Sequence, residues 1–169
     1  SQRSIDCGNH AKLTKRGLSK GRSPLHIAGM SVSDAADEIR EEFALLDDWE
    51  TRYAHIIDMG RANPALDPHE RNEDNRVKGC ASQVWMVSQP LGEGRLELRA
   101  ESDAVLVSGL IAVLTRLFSG QNAADILEFD AHGFFREIGV SDALTAQRSN
   151  GLASMLTRIH NNARALGAT

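Results

Sequence analysis

The apolar period of this chain changes twice, and that order restricts the fold more than any other feature. Over residues 33–60 apolar side chains recur at helical spacing: Ile39, Phe43 and Leu46, then Trp49, Tyr53, Ile56 and Ile57. A first helix is expected to start at Ser33 or Asp34, both good N-caps. A second is expected over Asp48–Gly60, with Gly60 as its C-terminal stop, and the two would pack as a hairpin. Asn63 to Asn75 is polar and carries Pro64 and Pro68, which suit neither a helix interior nor a central strand. The period then becomes two. Val84 and Met86 point one way, Trp85 and Val87 the other, which predicts a strand over Ser82–Gln89 buried on both faces. Pro90 to Gly94 predicts a turn, and Arg95 to Ala100 a half-exposed strand with Leu96, Leu98 and Ala100 inward. A short strand before Cys80 would add a third. Helical spacing returns in a buried helix over 104–118, capped by Ser102 or Asp103 and ended by Gly120. Short helices near Ala123–Leu127 and Phe134–Glu137 follow. A last helix runs from after Thr145 to about Leu166, with Leu152, Met155, Leu156 and Ile159 on its apolar face. Helices, strands, helices is the order of an α+β fold, a small antiparallel sheet covered by helices on one face.

At 169 residues and 41% hydrophobic content the chain can bury one core. Residues 1–29 are set apart as a tail, rich in Ser, Gly, Lys and Arg and without an apolar period. They read as a tag or an N-terminal extension ahead of a domain over 30–169, with Met30 as the natural start and a transit peptide as the alternative. The tail holds six basic side chains and one acid, which leaves residues 30–169 with 13 basic and 22 acidic groups, a net charge near −9. So acidic a body argues against nucleic-acid binding. No stretch has the length of a membrane helix: Ala104 to Phe118, the most apolar, is interrupted by Ser108, Gly109, Thr115 and Arg116. Two cysteines, Cys7 and Cys80, do not make a disulfide framework, and a reducing cytoplasm fits them. The six histidines are scattered and show no metal-ligand spacing.

Cys80 is the one nucleophile with a favourable local setting. It follows a polar loop and Gly79, whose backbone freedom would put the sulfur at a loop tip. Lys78 and Arg76 precede it, and positive charge favours the reactive thiolate. A lone cysteine is as often a small buried hydrophobe, and the residues alone leave the two readings level. Other schemes have less behind them. His69 reads as a solvated loop residue, and the Asp47–Asp48 pair as a helix surface. Gly92-x-Gly94 joins two strands and opens no helix, so it is a hairpin turn and not half of a dinucleotide motif. Arg148 falls in the first turn of the last helix, where the helix dipole disfavours a cation. It would serve an anionic partner or pair locally with Asp142. Asp103 reads first as an N-cap, with partner contact as an addition.

The segment Arg76-Val77-Lys78-Gly79-Cys80-Ala81-Ser82-Gln83-Val84-Trp85 resembles the SufE family of cysteine desulfuration proteins, in which Gly-Cys-x-Ser-x-Val-Trp surrounds a single cysteine. Asp48-Trp49-Glu50-x-x-Tyr53 with Ile56-Ile57-x-x-Gly60, Ser102-Asp103-Ala104 with Gly109 to Val113, and Leu144-Thr145 with Arg148-Ser149-x-Gly151-Leu152 extend the likeness over residues 33–166. Ala81 departs from it, where some relatives carry Gln, and so does Ala146, where a Pro often opens the helix. The resemblance implies the α+β fold shared with U-type iron–sulfur scaffolds (SufE/NifU-like, IscU-like). It implies a sulfur acceptor and activator of a pyridoxal-phosphate cysteine desulfurase of the SufS type, an accessory protein and not an independent enzyme, with no cofactor or metal of its own. Cys80 would carry the persulfide. Asp103, Arg148, Lys78 and Gly79 would serve partner binding and loop placement. A SufBCD-type scaffold would receive the sulfur, and a homodimer is compatible with all of this. A CsdE-type acceptor, serving a different desulfurase and a pathway such as tRNA modification, is the nearest alternative. A cluster scaffold would need about three cysteines, and an interaction domain with a structural Cys80 is the blandest reading.

Overall fold

The computed structural model describes residues 31–141 and 144–167. Residues 1–29, with Cys7, and Asp142 lie outside the described residues. Helix α1 (Val32–Ala44) begins just before the expected cap. Ser31 takes the cap position in a reciprocal pair: its hydroxyl accepts from the Asp34 amide at 3.1 Å, and its own amide donates to the Asp34 carboxylate at 3.3 Å. Val32, Ala35, Ala36, Ile39 and Phe43 make its buried stripe. Asp48 caps α2 (Trp49–Ala62), accepting from the Thr51 amide at 2.8 Å.

Gly60 does not end α2. The helix runs through it to Ala62, because Gly60 is needed for a crossing. A Cβ there would lie 2.6 Å from the Gly109 nitrogen and the Val105 carbonyl, and one on Gly109 would overlap the Ile56 carbonyl. Two glycines thus let α2 and α3 (Val105–Phe118) approach backbone to backbone. Helix α3 is buried nearly all round, from Leu106 to Phe118. It packs on α2 and on the second strand, as an all-apolar helix must.

Strands β1 (Val84–Gly92) and β2 (Arg95–Ser102) pair antiparallel, Val84 opposite Ser102 and Met86 opposite Ala100. The hairpin turn uses positive φ at Gly92, Glu93 and Gly94. Pro90, with no amide hydrogen, sits on β1, an edge strand. The third strand is β3 (Gln121–Asn122), beside β2 and after α3, in the order β1-β2-β3. The segment before Cys80 contributes only a single bridge, Arg76 to Trp85. Strand β1 is buried on one face, not two. Val84 and Met86 are in the core while Trp85 and Val87 are half-buried, because the helices cover one side and the 63–75 segment only partly shields the other. That segment is tied down through polar groups. Asn63 donates to the Ala100 carbonyl at 2.9 Å, the Leu66 amide to Glu101 at 2.8 Å, and Arg99 grips Glu70 at 3.0 and 2.8 Å. Short helices α4 (Ala123–Glu128) and α5 (Ala131–Glu137) lead to the long α6 (Ala146–Gly167), which packs on α4. Among the described residues the fold is α+β, as the periods imply.

Candidate functional site

Cys80 stands on a short loop whose base is part of the sheet. The Val77 amide donates to the Val84 carbonyl and the Met86 amide to the Asn75 carbonyl, both at 2.8 Å, and the Val77 side chain is buried. Residues 78–83 then turn back into β1. Gly79 makes the turn with φ +90°, a region L side chains avoid. The far end is fixed by Asp103, whose carboxylate accepts from the Gln83 amide at 3.1 Å and whose amide donates to the Gln83 carbonyl at 3.3 Å. Asp103 therefore does not cap α3. Ala104 holds the cap position and its amide donates to the Ser102 hydroxyl at 3.2 Å.

The loop lays its sulfur on the first turns of α6. The Cys80 thiol donates to the Gly151 carbonyl across 3.6 Å, a weak bond. A Cβ on Gly151 would sit 3.6 Å from the sulfur, in ordinary contact. Val107 and Leu110 from α3, Met155 and Arg148 from α6, and Cys80 itself enclose a cavity of about 20 Å³. That is room for about one water-sized atom beside the thiol.

Burial pushes the Cys80 thiol above its ordinary 9.0, and the Arg76 charge pulls the other way. Burial wins, so the docked sulfur is a neutral thiol. Lys78 is exposed and bonded to Glu73 at 2.6 Å, so the cation that acts on the thiol is Arg76. Arg148 is exposed at the pocket rim. Its amide donates to the Thr145 hydroxyl at 3.3 Å. Its guanidinium makes no ion pair with the described residues, and Asp142, its expected local partner, is outside them. The structure thus brings Cys80 and Arg148 to one pocket, sets Gly79 at the turn before it, beside Ser154, joins Asp103 to the loop through Gln83, and turns Lys78 away. Ser154 and Arg158 on α6 do not stand out in the sequence, and Gly151 enters it only within the Arg148-Ser149-x-Gly151-Leu152 likeness, without a role. A glycine inside a strong helical period is a further signal for Gly151. Among the described residues no group of three or more His, Cys, Asp or Glu is placed to hold a metal ion, and no helix is long and apolar enough to cross a membrane.

Among the described residues the one cysteine, Cys80, is a free thiol on an anchored loop set against a long helix, the arrangement of a thiol protein in an α+β frame. The family described as SufE, Fe-S metabolism associated domain, matches residues 37–163. An uncharacterised SufE-like protein of Rhizobium meliloti (strain 1021) is 42% identical over 130 residues, covering 75% of this chain and 93% of that protein. Another, from Rhizobium etli, is 42% identical over 135 residues, covering 78% and 91%. The chain belongs to the SufE family, whose role is sulfur acceptance in iron–sulfur metabolism. The fold is also that of a hypothetical protein from Thermus thermophilus solved in solution, with TM-score 0.66 at 23% identity, covering 80% of this chain and 97% of that one.

Proposed function

We propose that this protein accepts sulfur on Cys80 from a SufS-type cysteine desulfurase, raises that enzyme's turnover, and passes the sulfur to a SufBCD-type scaffold. The observation that carries the reading is the Cys80 loop: its base is fixed in the sheet, while its tip rests on α6 by one weak thiol bond. The Cys80 thiolate attacks the outer sulfur of the donor's cysteine persulfide. A new S–S bond forms at Cys80, the donor's S–S bond breaks, and the donor cysteine leaves as a thiolate, so no oxidant is consumed. Residues 78–82 leave the pocket for this step and return with the persulfide sheltered from water. Gly79 supplies the turn, Asp103 holds the far end, and Arg148 offers the partner a cation at the rim. Lys78, exposed and paired to Glu73, marks the loop's outer face for the partner. The reaction needs no cofactor of this chain's own, since pyridoxal phosphate belongs to the desulfurase, and it suits a reducing cytoplasm.

The test is desulfurase turnover with the wild type and with Cys80→Ser, joined to intact-mass analysis. Stimulation by wild type alone, with one added sulfur on Cys80, is the expected result. Equal stimulation by both proteins would leave an activator that carries no sulfur. Running a SufS-type desulfurase beside the different desulfurase that CsdE-type acceptors serve separates this reading from the CsdE-type one.

A further inference from the structure

The 74–80 segment runs antiparallel along one face of α6. Cys80 meets Gly151, Gly79 meets Ser154, and the carbonyls of Arg76 and Asp74 meet Arg158. Residues 151, 154 and 158 are spaced by three and four, so they share a stripe of the helix. The three contacts differ in strength. The thiol bond at 3.6 Å is weak. Ser154 and Gly79 touch without a hydrogen bond. Arg158 donates to the Arg76 carbonyl at 3.1 Å and to the Asp74 carbonyl at 2.7 Å, both charge-assisted bonds of the strong kind.

We propose that Arg158 is a positioning residue for the sulfur acceptor: by pinning the backbone of residues 74–76 to α6, it makes Val77 a fixed pivot about which the 78–82 loop carries Cys80 in and out of its pocket. The proposal rests on the reading of Cys80 as the acceptor. It adds a residue that acts through the main chain and touches no reacting atom. The pinned stretch also carries Arg76, the cation that bears on the thiol, so a loosened pivot would misplace both the nucleophile and its charge. Without the anchor, the whole 74–82 segment could lift, and the free protein would expose its sulfur.

The experiment compares wild type, Arg158→Ala and Arg158→Lys in the free protein, without a desulfurase. Iodoacetamide labelling is read on the Cys80 peptide, so Cys7 does not contribute, and amide hydrogen exchange is followed on the same samples. In Arg158→Ala, labelling of Cys80 is expected to quicken at least about tenfold, since two charge-assisted bonds are lost and one alone is worth about that factor. The Val77 and Met86 amides should exchange faster by a similar factor, while the Leu110 amide keeps its wild-type rate. Lysine, which reaches only one carbonyl, should restore part of the protection. Labelling within about twofold of wild type would overturn the proposal. So would equal acceleration of Leu110, which would make Arg158 a general stabiliser. Should Arg158→Ala not fold, Arg158→Lys carries the same comparison on a smaller scale. Because no desulfurase is present, failure of sulfur transfer to Cys80 leaves this result standing, and the two conclusions fall separately.

Discussion

Gly79→Ala penalises the docked Cys80 loop and spares the undocked one. The native φ of +90° costs a residue with a Cβ about 1 to 3 kcal/mol. The new methyl would also lie 2.5 Å from the Ser154 hydroxyl, a clash that side-chain rotation relieves in part. Both penalties apply only while the loop is docked. At about 1.4 kcal/mol per factor of ten, the open fraction should rise roughly fivefold to hundredfold. Global stability falls by these penalties only while the loop stays docked, so its loss is capped by the free energy of docking; Lys78, Gly79, Ala81 and Gln83 are all exposed, and the core begins at Val77 and Val84. The assay is iodoacetamide labelling of the Cys80 peptide beside a thermal melt. The expected pair is labelling faster by that factor and a Tm lowered by no more than about 12 °C, the full penalty at about 2 to 4 °C per kcal/mol. The variant Gly79→Ala with Ser154→Gly separates the two penalties: it labels like Gly79→Ala if backbone strain dominates, and more slowly if the clash does. Labelling unchanged in Gly79→Ala would refute the idea that docking protects the sulfur.

Two further perturbations read other parts of the frame. Burial lifts the Cys80 thiol above 9.0, so the logarithm of the labelling rate should climb with unit slope from about pH 7 to about pH 9 without a plateau. Arg76→Ala removes the charge that opposes this shift, so the thiol rises further and labelling near pH 8 slows about twofold to fivefold; a plateau below about pH 9, or faster labelling in the variant, would contradict the assignment. Gly109→Ala pushes a methyl into the Ile56 carbonyl. Overpacking of about 1 to 3 kcal/mol, less about 1 kcal/mol of helix propensity gained, leaves a net cost of about 0 to 2 kcal/mol and should lower Tm by up to about 8 °C, and a melt raised above wild type would mean the α2–α3 crossing is looser than the structure has it.

What sequence reveals here follows the range of the interactions. The helices and the hairpin are legible because their periods are local: Ile39 to Phe43 is one turn, Leu96 to Ala100 one face. β3 is not, since the two residues Gln121 and Asn122 are too few to show a period. Gly60 looks like a stop because the sequence around it carries no trace of Gly109, which makes a glycine necessary inside the helix. Asp103 looks like a cap because a carboxylate before a helix usually is one. Its partner, Gln83, lies 20 residues back. The α6 stripe is the extreme case: Gly151 meets a residue 71 positions away and Arg158 residues 82 and 84 away. The Cys80 motif itself could be read, along with Gly79 as a turn, whereas the direction of Lys78, toward Glu73 and away from the thiol, belongs to tertiary structure alone.

The electrostatics and the mechanics of the loop point the same way. Docking buries the sulfur and favours its neutral form, so by linkage ionisation of Cys80 favours the undocked loop. The thiol–carbonyl bond to Gly151 requires the proton as well: a thiolate has nothing to donate and would face the carbonyl oxygen as a like partial charge. In the free protein at neutral pH the docked thiol is therefore both shielded and a poor nucleophile. On the proposed function, withdrawal from the pocket removes this chain's own burial of the thiol, so the thiolate fraction of the extended loop would grow before the sulfur reaches its donor. Selective reaction then needs no general base on this chain. It needs a loop root that stays fixed, a tip that is weakly held, and a pocket whose apolar wall keeps the proton on until the tip departs.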